Sequence, residues 1–174
     1  MEKIIFHKET KTFHLYNEEI SYIMCVLENG HMGQLYYGKR IHDKPDFSYL
    51  VEKCGRPMTS YIFEGDRSFS LEHIRQEYPV YGTTDYRHPA IEIMQENGSN
   101  ISEFKYVGYE ILKGKPSLKG LPATYTESEE EAETLKIILK DSLTGAKLTL
   151  LYTIFSKGSA IARSAHICNE GEKV

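Results

Sequence analysis

Leu135-Lys136-Ile137-Ile138-Leu139-Lys140-Asp141-Ser142-Leu143-Thr144-Gly145-Ala146-Lys147-Leu148-Thr149-Leu150-Leu151-Tyr152-Thr153-Ile154 is the stretch that decides the fold. Leu135, Ile137 and Leu139 recur at every second position, and so do Leu148, Leu150, Tyr152 and Ile154. Period two is the pattern of a strand, in which successive side chains face opposite sides. Asp141-Ser142-Leu143-Thr144-Gly145 supplies the turn between the two runs. Lys157-Gly158 turns the chain again, and Ile161, Arg163, Ala165 and Ile167 continue the alternation. The three runs predict an antiparallel meander with strands of about 8 to 12 residues, as in β-sandwiches.

The same signature extends upstream. Phe13 and Leu15 alternate with Thr12, His14 and Tyr16. Ile20 to Leu27 is a longer apolar run, expected to be buried on both faces, and Asn29-Gly30 closes it as a hairpin turn. Met32 to Ile41 reads as its partner, broken near Gly38. From His42 to Arg67 the pattern fails amid Pro45, Gly55, Pro57 and Gly65, leaving a long excursion with one short strand expected around Tyr61 to Phe63. Excursions of this length in compact domains are usually functional or interfacial. Regular structure is expected again over Phe69 to Tyr78. Ala90 to Gln95 and Phe104 to Leu112 are expected to pair across the Asn97-Gly98 turn. Glu127 to Leu135 holds helix formers but is too short and too uniformly acidic for a stable helix. At the far end, Asn169-Glu170-Gly171 is another hairpin signal with only three residues after it, which points to a sheet that continues beyond the chain, with a frayed tail as the alternative.

Composition narrows the function classes. The chain has 174 residues, enough for a sizeable core, with 40% hydrophobic and 26% charged residues. A net charge of −4 offers no broad basic surface for nucleic acid or anionic membrane. Cys25, Cys54 and Cys168 are odd in number and far apart, which argues against both a disulfide framework and a zinc knuckle. Reduced thiols and the absence of an apolar leader over Met1 to His7 predict a cytoplasmic protein. Thirteen tyrosines without a single tryptophan suit sheets.

Catalytic and ligand motifs are scarce. Glycoside hydrolysis needs two positioned carboxylates, and the acid run from Glu127 to Glu133 reads as a solvated turn. Lys113-Gly114-Lys115-Pro116-Ser117-Leu118-Lys119-Gly120 lacks the spacing and the Gly-Lys-Ser/Thr end of a phosphate loop. Seven histidines are scattered without metal spacing. The stretch Gln76-Glu77-Tyr78-Pro79-Val80-Tyr81-Gly82-Thr83-Thr84-Asp85-Tyr86-Arg87-His88-Pro89 stands apart, with aromatics and charges on a rigid loop. Such loops suit a protein interface, a sugar or a purely structural turn, and the residues alone leave all three open.

These motifs carry a family likeness. Leu35-Tyr36-Tyr37-Gly38-Lys39, Asp66-Arg67-Ser68-Phe69-Ser70-Leu71-Glu72, Gln76-Glu77-Tyr78-Pro79, Thr84-Asp85-Tyr86-Arg87, Gly120-Leu121-Pro122-Ala123-Thr124-Tyr125 and Glu131-Ala132-Glu133-Thr134-Leu135 follow in order. In that order and spacing the chain resembles the amino-terminal region of bacterial α-galactosidases (melibiases) of glycoside hydrolase family 36.

The resemblance implies an all-β fold, an antiparallel β-sandwich of the galactose mutarotase-like supersandwich type, with residues 1–174 forming an incomplete part of it. The catalytic (β/α)₈ barrel, which carries the nucleophile and the acid/base aspartate in this family, and the C-terminal β domain would both be absent, so the chain itself would hold no catalytic residue. The parent enzyme would release terminal α-linked galactose from sugars such as melibiose and raffinose with retention, without metal or organic cofactor. Its partners would be its own barrel, the galactoside and further copies in a tetramer, with no nucleic acid and no membrane. Two substrate-binding residues carry over to a neighbouring subunit's pocket: Arg67, in the Asp-Arg-Ser-Phe-Ser-Leu motif, and Glu52 as its acidic partner. The residues alone leave open an ion pair between Arg67 and Asp66 or another surface acid. A free-standing carbohydrate-binding or interaction module is the alternative reading of the whole chain.

Overall fold

A computed structural model describes residues 3–120 and 123–171. Two four-stranded antiparallel sheets face each other. The first is a meander of β1 (Ile4–His7), β2 (Thr12–Tyr16), β3 (Ile20–Val26) and β4 (Met32–Lys39). The second is a meander of β5 (Phe104–Lys113), β6 (Ala132–Asp141), β7 (Ala146–Phe155) and β8 (Ile161–Asn169). The expected all-β antiparallel sandwich is what the chain forms.

Alternation sets the core. Phe13 and Leu15 of β2, Tyr22 and Met24 of β3, Leu135, Ile137 and Leu139 of β6, and Leu148, Leu150, Tyr152 and Ile154 of β7 interdigitate as one buried cluster. The β6–β7 register places Leu139 opposite Leu148 and Ile137 opposite Leu150, so Leu135 to Leu139 and Ala146 to Ile154 present apolar faces. Asp141 fixes the intervening turn: its Oδ1 accepts the Leu143 amide at 2.8 Å and its carbonyl accepts the Gly145 amide at 3.0 Å. Gly145 has φ +74°, and a Cβ there would lie 2.5 Å from the Gly171 Cα, so only glycine fits where the turn meets the end of β8.

The second face of the first sheet explains why β3 reads as continuously apolar. Ile23, Cys25, Leu27 and Leu35 point away from the sandwich, and Phe47, Phe69, Leu71 and Ile74 of the connection between β4 and β5 cover them. That connection includes a 3-10 turn at Ser48–Leu50. No strand forms at 61–63; an isolated bridge joins Phe63 and Asp66 around Gly65, which has φ +84°. Residues 69–78 form no strand either, although Gln76 bridges Gly33 and the Glu77 amide donates to Met32 O at 2.9 Å.

Two strand pairings differ from expectation. Segment 90–95 is not a strand and β5 does not pair with it; β5 pairs with β6 instead. The short segment carries only Ile91 and Ile93 into the core, as partly buried residues, whereas β6 pairs nine residues with β5, with one bulge between Tyr106 and Gly108. Gly38 does not break β4, because the irregularity falls at Leu35, an extra residue between the pairs Ile23–Tyr36 and Met24–Gln34. Among the described residues no helix is long and apolar enough to cross a membrane. Leu121 and Pro122, part of one motif quoted above, lie outside the described residues.

Candidate functional site

Glu52 and Arg67 both lie on the irregular connection and both are exposed. The two arms that carry them meet where the Cys54 amide donates to Ser68 O at 3.0 Å. Arg67 does not pair with Asp66. The Asp66 carboxylate accepts the Ser68 amide at 2.8 Å and the Ser68 hydroxyl at 2.6 Å, which holds it below the usual carboxylate range. The Arg67 guanidinium lies over the Tyr61 ring at 5.7 Å, and among the described residues it forms no hydrogen bond or ion pair. No ion pair or hydrogen bond joins Glu52 to Arg67 among the described residues. Exposed Tyr49, Met58 and Tyr61 accompany them, and Met58 holds a left-handed backbone with φ +62°. A cleft of about 900 Å³ bordered by Lys3, Arg40, Lys113 and Glu133 includes neither Glu52 nor Arg67.

In the Thr84-Asp85-Tyr86-Arg87 turn, Thr84 and Asp85 are buried while Tyr86 and Arg87 are exposed. Arg87 grips both oxygens of buried Asp85 at 2.8 Å and also donates to Leu71 O at 2.9 Å. Gln76 adds a third donor to Asp85 at 2.7 Å. Burial works against the Asp85 charge, but the bonds from Arg87 and Gln76 outweigh it and keep the carboxyl below its ordinary range. Thr83 and Thr84 take positive φ of +49° and +71°, a strain the surrounding bonds hold in place. Of the three readings open for this stretch, the structural one accounts for buried Asp85 and its bonds.

Glu77, from the same stretch, sits between the two sheets. Its carboxylate accepts the Tyr22 hydroxyl of β3 at 2.7 Å, the Tyr152 hydroxyl of β7 at 2.7 Å, and Arg163 of β8 at 2.9 Å. Arg163 also donates to Glu77 O at 2.9 Å and lies over the Tyr152 ring at 4.9 Å. Burial and then the Glu77 charge push both tyrosine hydroxyls well above their ordinary value. A carboxylate accepting three strong bonds is a cross-link between sheets, and it is no poised general acid.

One further constellation was not visible in the sequence. His14 Nδ1 lies 2.7 Å from Asp43 Oδ1, and His14 Nε2 lies 2.9 Å from Ser21 Oγ. This is the contact order of a hydrolytic triad. Ser21 and His14 are each fully buried, so no substrate reaches the hydroxyl. Cys25, on the same face, is likewise no nucleophile, because burial pushes its thiol up to about 12. Among the described residues no group of three or more His, Cys, Asp or Glu side chains could hold a metal ion.

Comparison with known proteins places the chain. The profile described as "Glycosyl hydrolase family 36 N-terminal domain" matches residues 30–174. Alpha-galactosidase AgaA of Geobacillus stearothermophilus is 42% identical over 168 residues, which cover 97% of this chain and 23% of AgaA. The alpha-galactosidase of Lactobacillus brevis superposes with a TM-score of 0.89 at 37% identity, over 94% of this chain and 22% of that one. A variant of AgaA solved in complex with raffinose superposes with a TM-score of 0.86 at 43% identity, over 92% of this chain and 22% of that one. The chain thus spans about a quarter of the length of the relatives it matches. With the sandwich, the ordered motifs and the profile in agreement, the chain belongs to the glycosyl hydrolase family 36 N-terminal domain family, and its relatives include bacterial and fungal alpha-galactosidases.

Proposed function

We propose that this chain is the first part of the β-supersandwich of a retaining, cytoplasmic α-galactosidase, and that it serves assembly and completion of the substrate pocket rather than bond cleavage. The catalytic barrel and the C-terminal β domain would be further parts of the parent protein. The observation that carries the reading is the match of nearly the whole chain to about a quarter of each relative. The parent enzyme would hydrolyse terminal α-linked galactose from melibiose and raffinose through a covalent intermediate, without a cofactor, as a tetramer.

Within it, the exposed connection carries Arg67 and Glu52 into a neighbouring subunit's pocket. Three features support this role. Both residues are exposed, and neither borders the 900 Å³ cleft of their own chain. The guanidinium lies over Tyr61 and has no carboxylate within ion-pair distance among the described residues. A planar fork of fixed donors suits vicinal hydroxyls, directly or through an acid such as Glu52.

The test is Arg67→Ala in the full-length enzyme, with the oligomer checked by light scattering. The expected result is an intact tetramer whose KM for a trisaccharide rises about tenfold while kcat changes little, as for a contact made equally in ground and transition states. An assembled variant with unchanged KM and kcat would show Arg67 to be structural.

A further inference from the structure

The buried His14 joins the first sheet to the root of the exposed connection, and its bonding pattern is complete only when the ring is neutral. Asp43 Oδ1 accepts from His14 Nδ1 at 2.7 Å and from His7 Nε2 at 2.9 Å. Ser21 Oγ accepts the Ile41 amide at 3.1 Å, which leaves its own proton to donate to His14 Nε2 at 2.9 Å. With Nδ1 protonated and Nε2 bare, every member of the chain Ile41–Ser21–His14–Asp43 has a partner. A second proton on Nε2 would face the Ser21 oxygen, and the hydroxyl would have to turn its hydrogen away from His14 in a fully buried site, where it has no other acceptor among the described residues.

We propose that His7, His14, Ser21 and Asp43 form an acid-sensitive latch that holds residues 41–50 against the first sheet and lets them go when His14 takes its second proton. The idea rests on the proposed role of Glu52 and Arg67 only for its consequence: the latch would set how firmly the arms bearing them are held. Phe47 is the other half of the attachment. It is fully buried and meets the His14 ring edge-on at 5.5 Å, so displacing the imidazole also loosens the apolar contact below it.

The groups around His14 come from four places. His7 lies on β1, Arg40 follows β4, Asp43 lies on the connection, and the Tyr16 ring of β2 lies tilted at 5.0 Å. Burial lowers the proton affinity of His14 most. The bond and charge of Asp43 oppose this, the charges of His7 and Arg40 add to it, and the net shift is downward from 6.5. A base whose folded-state pKa is lowered is bound in its neutral form, so its contribution is complete above 6.5 and is lost as pH falls below that value toward the folded-state pKa. Burial works against the Asp43 charge, yet the bonds from His14 and His7 outweigh it and leave its pKa below 3.8. Asp43 therefore stays ionised while His14 titrates.

The measurement combines histidine-ring nitrogen spectra with amide exchange on the full chain between pH 7.5 and 5, with exchange rates corrected for their intrinsic pH dependence. The expected result is an Nδ1–H tautomer of His14 at pH 7.5. Protection of the Ile41, Ser48 and Leu50 amides should fall at least tenfold as His14 protonates, while β6 and β7 stay unchanged. Asp43→Asn removes the charge that favours the second proton, so the midpoint of the loss should move to lower pH. The proposal is overturned if protection of the Ile41, Ser48 and Leu50 amides does not follow His14, if His14 is already doubly protonated at pH 7.5, or if the Asp43→Asn midpoint stays or rises. None of these readouts depends on substrate, so the latch and the pocket role of Arg67 can fail independently.

Discussion

Glu77 shows how much one residue can hide in a readable motif. Its place among tyrosines and charges on a rigid loop was visible in the chain, and that loop was open to three readings. What the sequence does not reveal is which of 25 acids would be buried, because the partners Tyr22, Tyr152 and Arg163 come from three different strands. Replacing Glu77 by Gln keeps the volume but turns one acceptor oxygen into a donor that faces Arg163 or a tyrosine hydroxyl. The expected loss is about 1–3 kcal/mol, measured as a lower urea midpoint at unchanged slope. A midpoint equal to that of the parent would mean the carboxylate is not the cross-link described here. His14 was hidden for a related reason. It alternates with Phe13 and Leu15 and so reads as solvent-facing, and only the return of Phe47 over that face buries it.

At the scale of elements, legibility followed locality. Strands β6, β7 and β8 were read nearly to their ends because each pairs with its sequence neighbour across a tight turn. The partner of β5 was misread, since a run of apolar residues at 90–95 looks like a strand until a longer competitor is available. The sheet edges also differ in protection. Strand β1 has four residues, β4 is bridged by Gln76, and β5 carries Lys105 and Glu110 and a bulge at Val107. Strand β8 has nine regular residues, no proline, and a single formal charge, Arg163, engaged with Glu77. Such an edge pairs with other chains unless it is blocked. The purified chain is therefore expected to self-associate at high concentration, and a lysine at Ala165 should reduce the effect. Strictly monomeric light scattering up to millimolar concentration would count against an open β8 edge.

For the molecule as a whole, the buried acids Glu77, Asp85 and Asp141 are each held by the chain's own donors. No pair of them is left to flank a glycosidic bond. The rigorously purified chain is accordingly expected to give no turnover of a chromogenic α-galactoside above a mock preparation. Activity that co-purified with the chain and followed its concentration would refute this. The Glu77 cross-link has one more consequence, which concerns the order of assembly. Its bonds to Tyr22, Tyr152 and Arg163 span 55, 75 and 86 residues. The hairpins of the second meander close over far shorter distances along the chain, so their loop entropy is smaller. The two sheets should therefore be largely formed before Glu77 can find its partners. Mutations at Glu77 should speed unfolding and leave the refolding rate almost untouched.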